Sequence, residues 1–135
     1  MNSNSFDVLI KGYSDLLENL LNKEYLPFDN ENLQLKLPKQ GGVYCISNKT
    51  DNTIIYIGQS KNLQKRIYKN HLMGHQRNST LRRKIVKKEK FSSEDQVRNY
   101  LHEQCMVQFI KIEDKLERNF FEHFAIAMLR PKYND

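Results

Sequence analysis

The chain has no tryptophan, two cysteines, three prolines and no apolar run long enough to cross a bilayer. Cys45 and Cys105 are too few and too far apart for a disulfide framework or a zinc site. Both sit in apolar, strand-like stretches, where a buried free thiol is the expected state. The first residues, Met1 to Ser5, lack the basic and then apolar pattern of a secretory leader. Reduced thiols and a cytoplasmic location are the resulting expectations. With 135 residues there is room for one domain and one core.

Acidic residues run short in one place above all. Residues 61–90 hold Lys61, Lys65, Arg66, Lys69, Arg77, Arg82, Arg83, Lys84, Lys87, Lys88 and Lys90 against Glu89 alone, a net charge of +10. Residues 1–38 sum to −3, so the overall +6 conceals a divided chain. A block this one-sided predicts a polyanionic partner, nucleic acid first, because lysine and arginine release counterions on meeting phosphates. Anionic lipid is the weaker reading, since no apolar helix face accompanies the basic block.

Apolar spacing predicts the elements. Residues 6–24 read as an amphipathic helix, packed on the domain or on a second copy of the chain. Residues 25–41 read as a connector with one short strand at Leu33–Leu37. Two segments rich in β-branched and aromatic residues, 42–47 and 53–58, flank the polar turn Asn48–Asn52 and predict a hairpin. Helices follow from Ser60, from Ser79 to Lys88 and after Ser92 or Ser93, which reads as an N-cap. A third strand is expected at 105–112, then a helix from Asp114 that stops at Leu129 before Pro131. The sum is an α+β fold with a small three-stranded, mainly antiparallel sheet flanked by helices, plus an extra N-terminal helix. Residues 1–37 form that helix and its connector, and residues 38–135 form the domain.

Cleaving a phosphodiester requires a group to orient or deprotonate water and cationic groups on the non-bridging oxygens. It usually requires a metal near the leaving oxygen as well. Tyrosine, arginine and glutamate brought together supply these functions, although each alone is commonly a packing or solvated residue. Strand alternation puts Tyr44 and Ile46 on one face, and Ile54, Tyr56 and Gly58 on one face of the neighbouring strand. On the last helix Phe120, Phe121, Phe124, Ala125 and Met128 read as the buried stripe. Glu122 falls at its edge and Glu117 close to its middle.

Gly42-Val43-Tyr44, then Tyr56-Ile57-Gly58, then Arg66, and finally Glu122 with Pro131 and Asn134, resemble the GIY-YIG nuclease family over about residues 38–134. The first triplet is a GVY variant. The resemblance implies a metal-dependent endonuclease that hydrolyses DNA with Mg²⁺ or Mn²⁺. In it Tyr44 orients or deprotonates water and Tyr56 supports it across the hairpin. Arg66 stabilises the charged phosphate, Glu122 holds the metal, and Asn134 is a supporting polar residue. Lys61, Lys65 and His71 are candidates for lowering a tyrosine pKa. Many relatives carry a histidine four residues after the arginine, where this chain has Asn70 followed by His71. Lys61, Lys65, Lys69, Arg77, Arg82, Arg83 and Lys84 are the expected nucleic-acid contacts, for backbone positioning rather than base readout. Glu117 stands as the alternative metal ligand. A nucleic-acid-binding module without cleavage is the alternative function, and a homodimer through the N-terminal helix is open.

Overall fold

The structure, a computed structural model, describes residues 3–29 and 31–134, so Asp135 at the end of the expected domain lies outside them. In chain order it contains helix α1 (Ser3–Leu21), strand β1 (Leu26–Pro27), helix α2 (Asn32–Lys36) and strands β2 (Gly42–Asn48) and β3 (Thr53–Ser60). A π-helix (Gln64–Leu72), a 3-10 turn (Gln76–Asn78), α3 (Thr80–Glu89), α4 (Glu94–Gln104), β4 (Cys105–Lys111) and α5 (Lys115–Leu129) follow.

The sheet runs β1-β4-β2-β3, antiparallel throughout, with β2 central and β3 at an edge. The predicted hairpin is β2–β3, and its turn uses Asn52 in a left-handed conformation at φ 59°. The α+β class and the antiparallel sheet are as expected, but the sheet has four strands. The added one, β1, is two residues from the connector that pair with Met106 and Val107. Leu33–Leu37, expected as a strand, is instead helical. Leu33 and Leu37 are buried four residues apart, while Leu35 between them is 84% exposed. The alternation of leucines therefore followed a helix face.

Alternation along the strands divides the sheet into two covered faces. One carries Val43, Cys45, Ile57 and Ile110 against Leu17 and Leu20 of α1 and Phe121 and Ala125 of α5. Tyr13 stacks on Phe124 at 5.4 Å between ring centroids and pins α1 to α5. The other face carries Tyr44, Ile46 and Val107 against Leu63 at the cap of the π-helix, Ile67 and Leu72 within it, Leu81 and Ile85 of α3, and Val97 and Leu101 of α4. Capping follows the sequence. Ser79 caps α3, and Ser93 caps α4 in a capping box with Gln96.

The edge of β3 is covered by the end of the chain. Tyr133 donates its backbone N–H to the Ile55 carbonyl. The Asn134 side chain accepts from the Ile57 amide at 2.7 Å and donates to the Ile57 carbonyl at 2.8 Å. Backbone groups that would otherwise template another strand are thereby satisfied.

Gly58 lies directly across from Tyr44, and a Cβ there would stand 2.5 Å from the tyrosine Cζ. The glycine exists to let that ring lie flat across β3. Gly58→Ala is expected to cost about 1–3 kcal/mol by overpacking. Denaturant unfolding at fixed pH measures it, and an unchanged midpoint would contradict the packing described.

Candidate active site

Register fixes the tyrosines. Tyr44 faces Gly58 and Ile46 faces Tyr56 in the β2–β3 ladder, so both phenols rise from one side of the sheet. Their rings lie 6.3 Å apart. His71 completes a cluster of three rings, 5.5 Å from Tyr44 and 5.8 Å edge-on from Tyr56. The Tyr44 hydroxyl lies 2.6 Å from His71 Nε2, and His71 Nδ1 lies 2.7 Å from Ser79 Oγ.

His71 reaches this position because residues 64–72 form a π-helix, which bonds each N–H to the fifth residue back. Residues five apart then share a face, so His71 stands beneath Arg66. An α-helical turn would have aligned Asn70 with Arg66 instead. Asn70 points elsewhere, its side-chain amide 3.3 Å from the Asn78 carbonyl. The extra residue between arginine and histidine is absorbed by the widened helix.

Burial sets the protonation of the cluster. Tyr44 is fully buried, and desolvation, then the neighbouring Tyr56, push its pKa well up, against the opposing pull of Arg66. The expected lowering by Lys61, Lys65 or His71 is not found, because the lysines are exposed and the imidazole is neutral. Tyr44 is a phenol at rest, with no access to solvent, whereas half-buried Tyr56 borders an open cleft. Tyr44, expected to face water, does not do so in the resting state, and of the two phenols it is Tyr56 that borders the cleft.

Burial, with Arg66 and Arg82 adding to it, lowers the His71 pKa from 6.5 to about 3. Between those values an unfolded chain binds a proton that the folded chain refuses. Stability is therefore full above pH 6.5 and falls as pH drops towards 3, by about 1.4 kcal/mol per pH unit from this group. Unfolding free energies from pH 7 to 4 are expected to lose that share of their slope in His71→Gln. Parallel slopes in the two proteins would contradict the buried, neutral imidazole.

Arg66 and Glu122 approach from opposite faces of the sheet. Arg66 on the π-helix is half-buried and within hydrogen-bonding reach of the Tyr44 hydroxyl. Glu122 on α5 comes up beside the Gln59 end of β3, where the Gln59 backbone amide donates to it. Desolvation raises the Glu122 pKa, while His123, Arg66 and the Gln59 amide oppose the rise. Arg66 and Glu122 each shift both tyrosines. The four residues thus share one electrostatic neighbourhood.

The metal question turns on Glu122. The exposed His123 lies nearby, Nε2 at 3.9 Å, and no lysine or arginine forms a salt bridge with Glu122 among the described residues. Nor do the described residues contain a group of three His, Cys, Asp or Glu side chains able to hold an ion. One partly buried carboxylate without a lysine or arginine partner fits a hard cation that keeps most of its waters and does not fit zinc. Glu117 is exposed in the first turn of α5 and is not among the groups that shift the two tyrosines or Arg66's other neighbour, Glu122. The buried stripe of α5 is Arg118, Phe121 and Ala125, with Phe120 and Met128 more than half exposed, so the predicted stripe was rotated.

Two basic clefts meet at Arg66. One, of about 360 Å³, is bordered by Lys61, Lys65, Asn70, Lys115 and Arg118. The other, of about 260 Å³, is bordered by Tyr56, His71, Arg77, Ser79, Thr80 and Arg83. Lys61, Lys65, Lys69, Arg77 and Arg83 are exposed and Lys84 partly so, as a surface contact requires. Arg82 is a correction: it is 0% exposed and cannot meet a substrate phosphate. Its guanidinium instead bonds the carbonyls of His71, Leu72 and Glu94 and the Glu94 carboxylate. Asn134 does not face the cluster, both ends of its amide being committed to the Ile57 backbone. It holds the strand that carries Tyr56.

Residues the sequence reading passed over are Ser79 as more than a cap, Glu94 and Arg118. Arg118 is buried, donating to the Gln59 side chain and to the Ile112 and Glu113 carbonyls.

Paired tyrosines, an arginine between two basic clefts and a carboxylate beside them are brought together on this fold. The chain belongs to the GIY-YIG catalytic domain family, which matches residues 21–134. It is accordingly an enzyme of the endonuclease class. Solved structures similar to it include the GIY-YIG N-terminal endonuclease domain of UvrC from Thermotoga maritima. A point mutant of that domain bound to its catalytic divalent cation is 23% identical, with a TM-score of 0.48 over 78% of this chain and 94% of that one. The magnesium-bound form is 22% identical, with a TM-score of 0.47 over 78% and 96%. No curated protein matches the chain.

Proposed function

We propose that this protein is a metal-dependent DNA endonuclease that hydrolyses the backbone at the Tyr56–Arg66–Glu122 site. The observation that carries the reading is the meeting, on one face of the sheet, of a buried tyrosine–histidine pair with an arginine bordering two basic clefts. Exposed Lys61, Lys65, Lys69, Arg77 and Arg83 draw the phosphodiester backbone into those clefts. Arg66 turns from the Tyr44 hydroxyl to the phosphate and opposes the charge that builds on its oxygens. That movement also uncovers Tyr44. Tyr56 orients the attacking water at the cleft wall. The proton that leaves the water passes to the Tyr44 oxygen as the phenol's own proton moves to Nε2 of His71, whose basicity recovers once the Arg66 movement admits water and takes that charge away. Glu122 would hold one Mg²⁺ or Mn²⁺, which when bound supplies Lewis-acid stabilisation of the leaving oxygen.

One site cuts one strand. The apolar Phe6, Leu9 and Ile10, each at least half exposed on α1, support a second copy of the chain as the partner for cutting both. A sedimentation profile independent of concentration would contradict that dimer.

The test is a panel of end-labelled single-stranded, duplex and branched DNA, each with Mg²⁺, Mn²⁺ or chelator. Metal-dependent cutting of at least one form is expected, along with the identity of the preferred form. Binding that weakens steeply with salt but no cutting of any form would favour the non-cleaving module instead.

A further inference from the structure

We propose that Ser79 and Arg82, in the first turn of α3, are positioning residues for His71. They hold the π-helical register that delivers the imidazole to Tyr44, and they fix which ring nitrogen carries the proton. The consequence for cleavage rests on the function proposed above; the geometric claim does not.

Hydrogen-bond accounting assigns the tautomer. The Tyr44 hydroxyl is wholly buried, and among the described residues the one acceptor within reach is His71 Nε2 at 2.6 Å. The phenol must therefore donate, which leaves Nε2 bare and puts the ring proton on Nδ1. Nδ1–H then donates to Ser79 Oγ at 2.7 Å. The same oxygen accepts the Arg82 amide at 3.1 Å as the α3 N-cap, so both its lone pairs are filled. The reverse tautomer would aim an Nε2 proton at a phenol that has nowhere else to send its own.

Arg82 acts on the backbone. The last carbonyls of a helix have no partner within it. Nη1 of Arg82 takes two of them, His71 O at 2.8 Å and Leu72 O at 3.0 Å. Nη2 bonds the Glu94 carbonyl at 2.9 Å and Nε the Glu94 carboxylate at 3.1 Å, which ties the clamp to the first turn of α4. A π-helix of nine residues is unusual, since most are single-turn bulges, so something outside it must hold the register. A buried arginine is a poor source of stability against an apolar residue of similar size, and is better understood as a device that selects one arrangement. Here the selected arrangement puts His71, rather than its neighbour Asn70, beneath Tyr44.

The experiment is long-range proton–nitrogen NMR of the full chain with ¹⁵N-labelled histidine, paired with steady-state cleavage kinetics. The wild type is expected to show His71 protonated at Nδ1 and bare at Nε2. Ser79→Ala is expected to lose that defined pattern and to lower kcat roughly tenfold to a hundredfold, with KM changed less than about twofold. Ser79→Thr keeps both the hydroxyl and the cap and is expected to restore pattern and rate. Arg82→Met, where it folds, is expected to detach His71 from Tyr44 in the same spectra. A wild type protonated at Nε2 would overturn the proposal, as would a Ser79→Ala protein with unchanged tautomer and kcat. If no DNA is cut, the enzyme reading fails while the NMR result still decides this one.

Discussion

Arg66→Ala is expected to slow single-turnover DNA cleavage by about 10²–10³-fold, the usual cost of removing one preorganised donor from a developing oxyanion. Arg66 is the cation shared by both clefts and the one that acts on Tyr44, Tyr56, His71 and Glu122 alike. Its loss therefore removes both the charge on the phosphate and the group whose movement opens Tyr44. DNA affinity is expected to fall far less, because five other exposed cations remain, Lys61, Lys65, Lys69, Arg77 and Arg83. Arg66→Lys keeps a positive charge but not the planar fork, and is expected to recover only part of the rate. Quench-flow or gel-resolved single turnovers with DNA at saturation separate the two quantities. A rate within threefold of wild type would remove Arg66 from the chemistry.

Glu122→Gln is the second large effect. The substitution preserves size and the hydrogen bond from the Gln59 amide but removes the charge that attracts a cation. Cleavage in Mg²⁺ is expected to fall by at least about a hundredfold, since several kcal/mol of transition-state stabilisation go with the ion. Stability is expected to move the other way or not at all. Burial raises the Glu122 pKa, so the folded chain at neutral pH bears an uncompensated carboxylate, and glutamine relieves it. Lost activity with retained stability is the signature of a group kept for function. Rates and thermal midpoints from the same preparation read both. A variant that cuts normally would return the metal to Glu117 or to no protein ligand.

Much of the architecture was legible because it depends on short-range patterns. Residues 42–60 carried the hairpin in β-branched composition and a polar turn, and strand alternation already put Tyr44 and Tyr56 on one side. Ser79, Ser93 and Asp114 announced three helix starts by their capping chemistry. The features that were missed depend on what lies opposite. Arg82 reads as one more cation in a basic block, and only the carbonyls of the π-helix and the carboxylate of Glu94 make it internal. Phe120 and Met128 read as core on α5, but no element covers them.

The π-helix left a signal that went unused. Ile67 and Leu72, both buried, are five residues apart, as are Arg66 and His71, and neither spacing suits an α-helical stripe. Read together, those pairs point to the wider helix and return His71 to the site. Asn134 was expected at the site by resemblance, yet both ends of its amide bond the β3 backbone, which no spacing rule reveals.

The central claim is hydrolysis by water at this site, and cleavage in oxygen-18 water tests it most directly. DNA cut with Mg²⁺ in that solvent should carry one heavy oxygen on each new terminal phosphate, measured by mass spectrometry of the fragments, and chelator should stop the cuts. Unlabelled termini, a DNA adduct on Tyr44 or Tyr56, or intact DNA in every form supplied would contradict it.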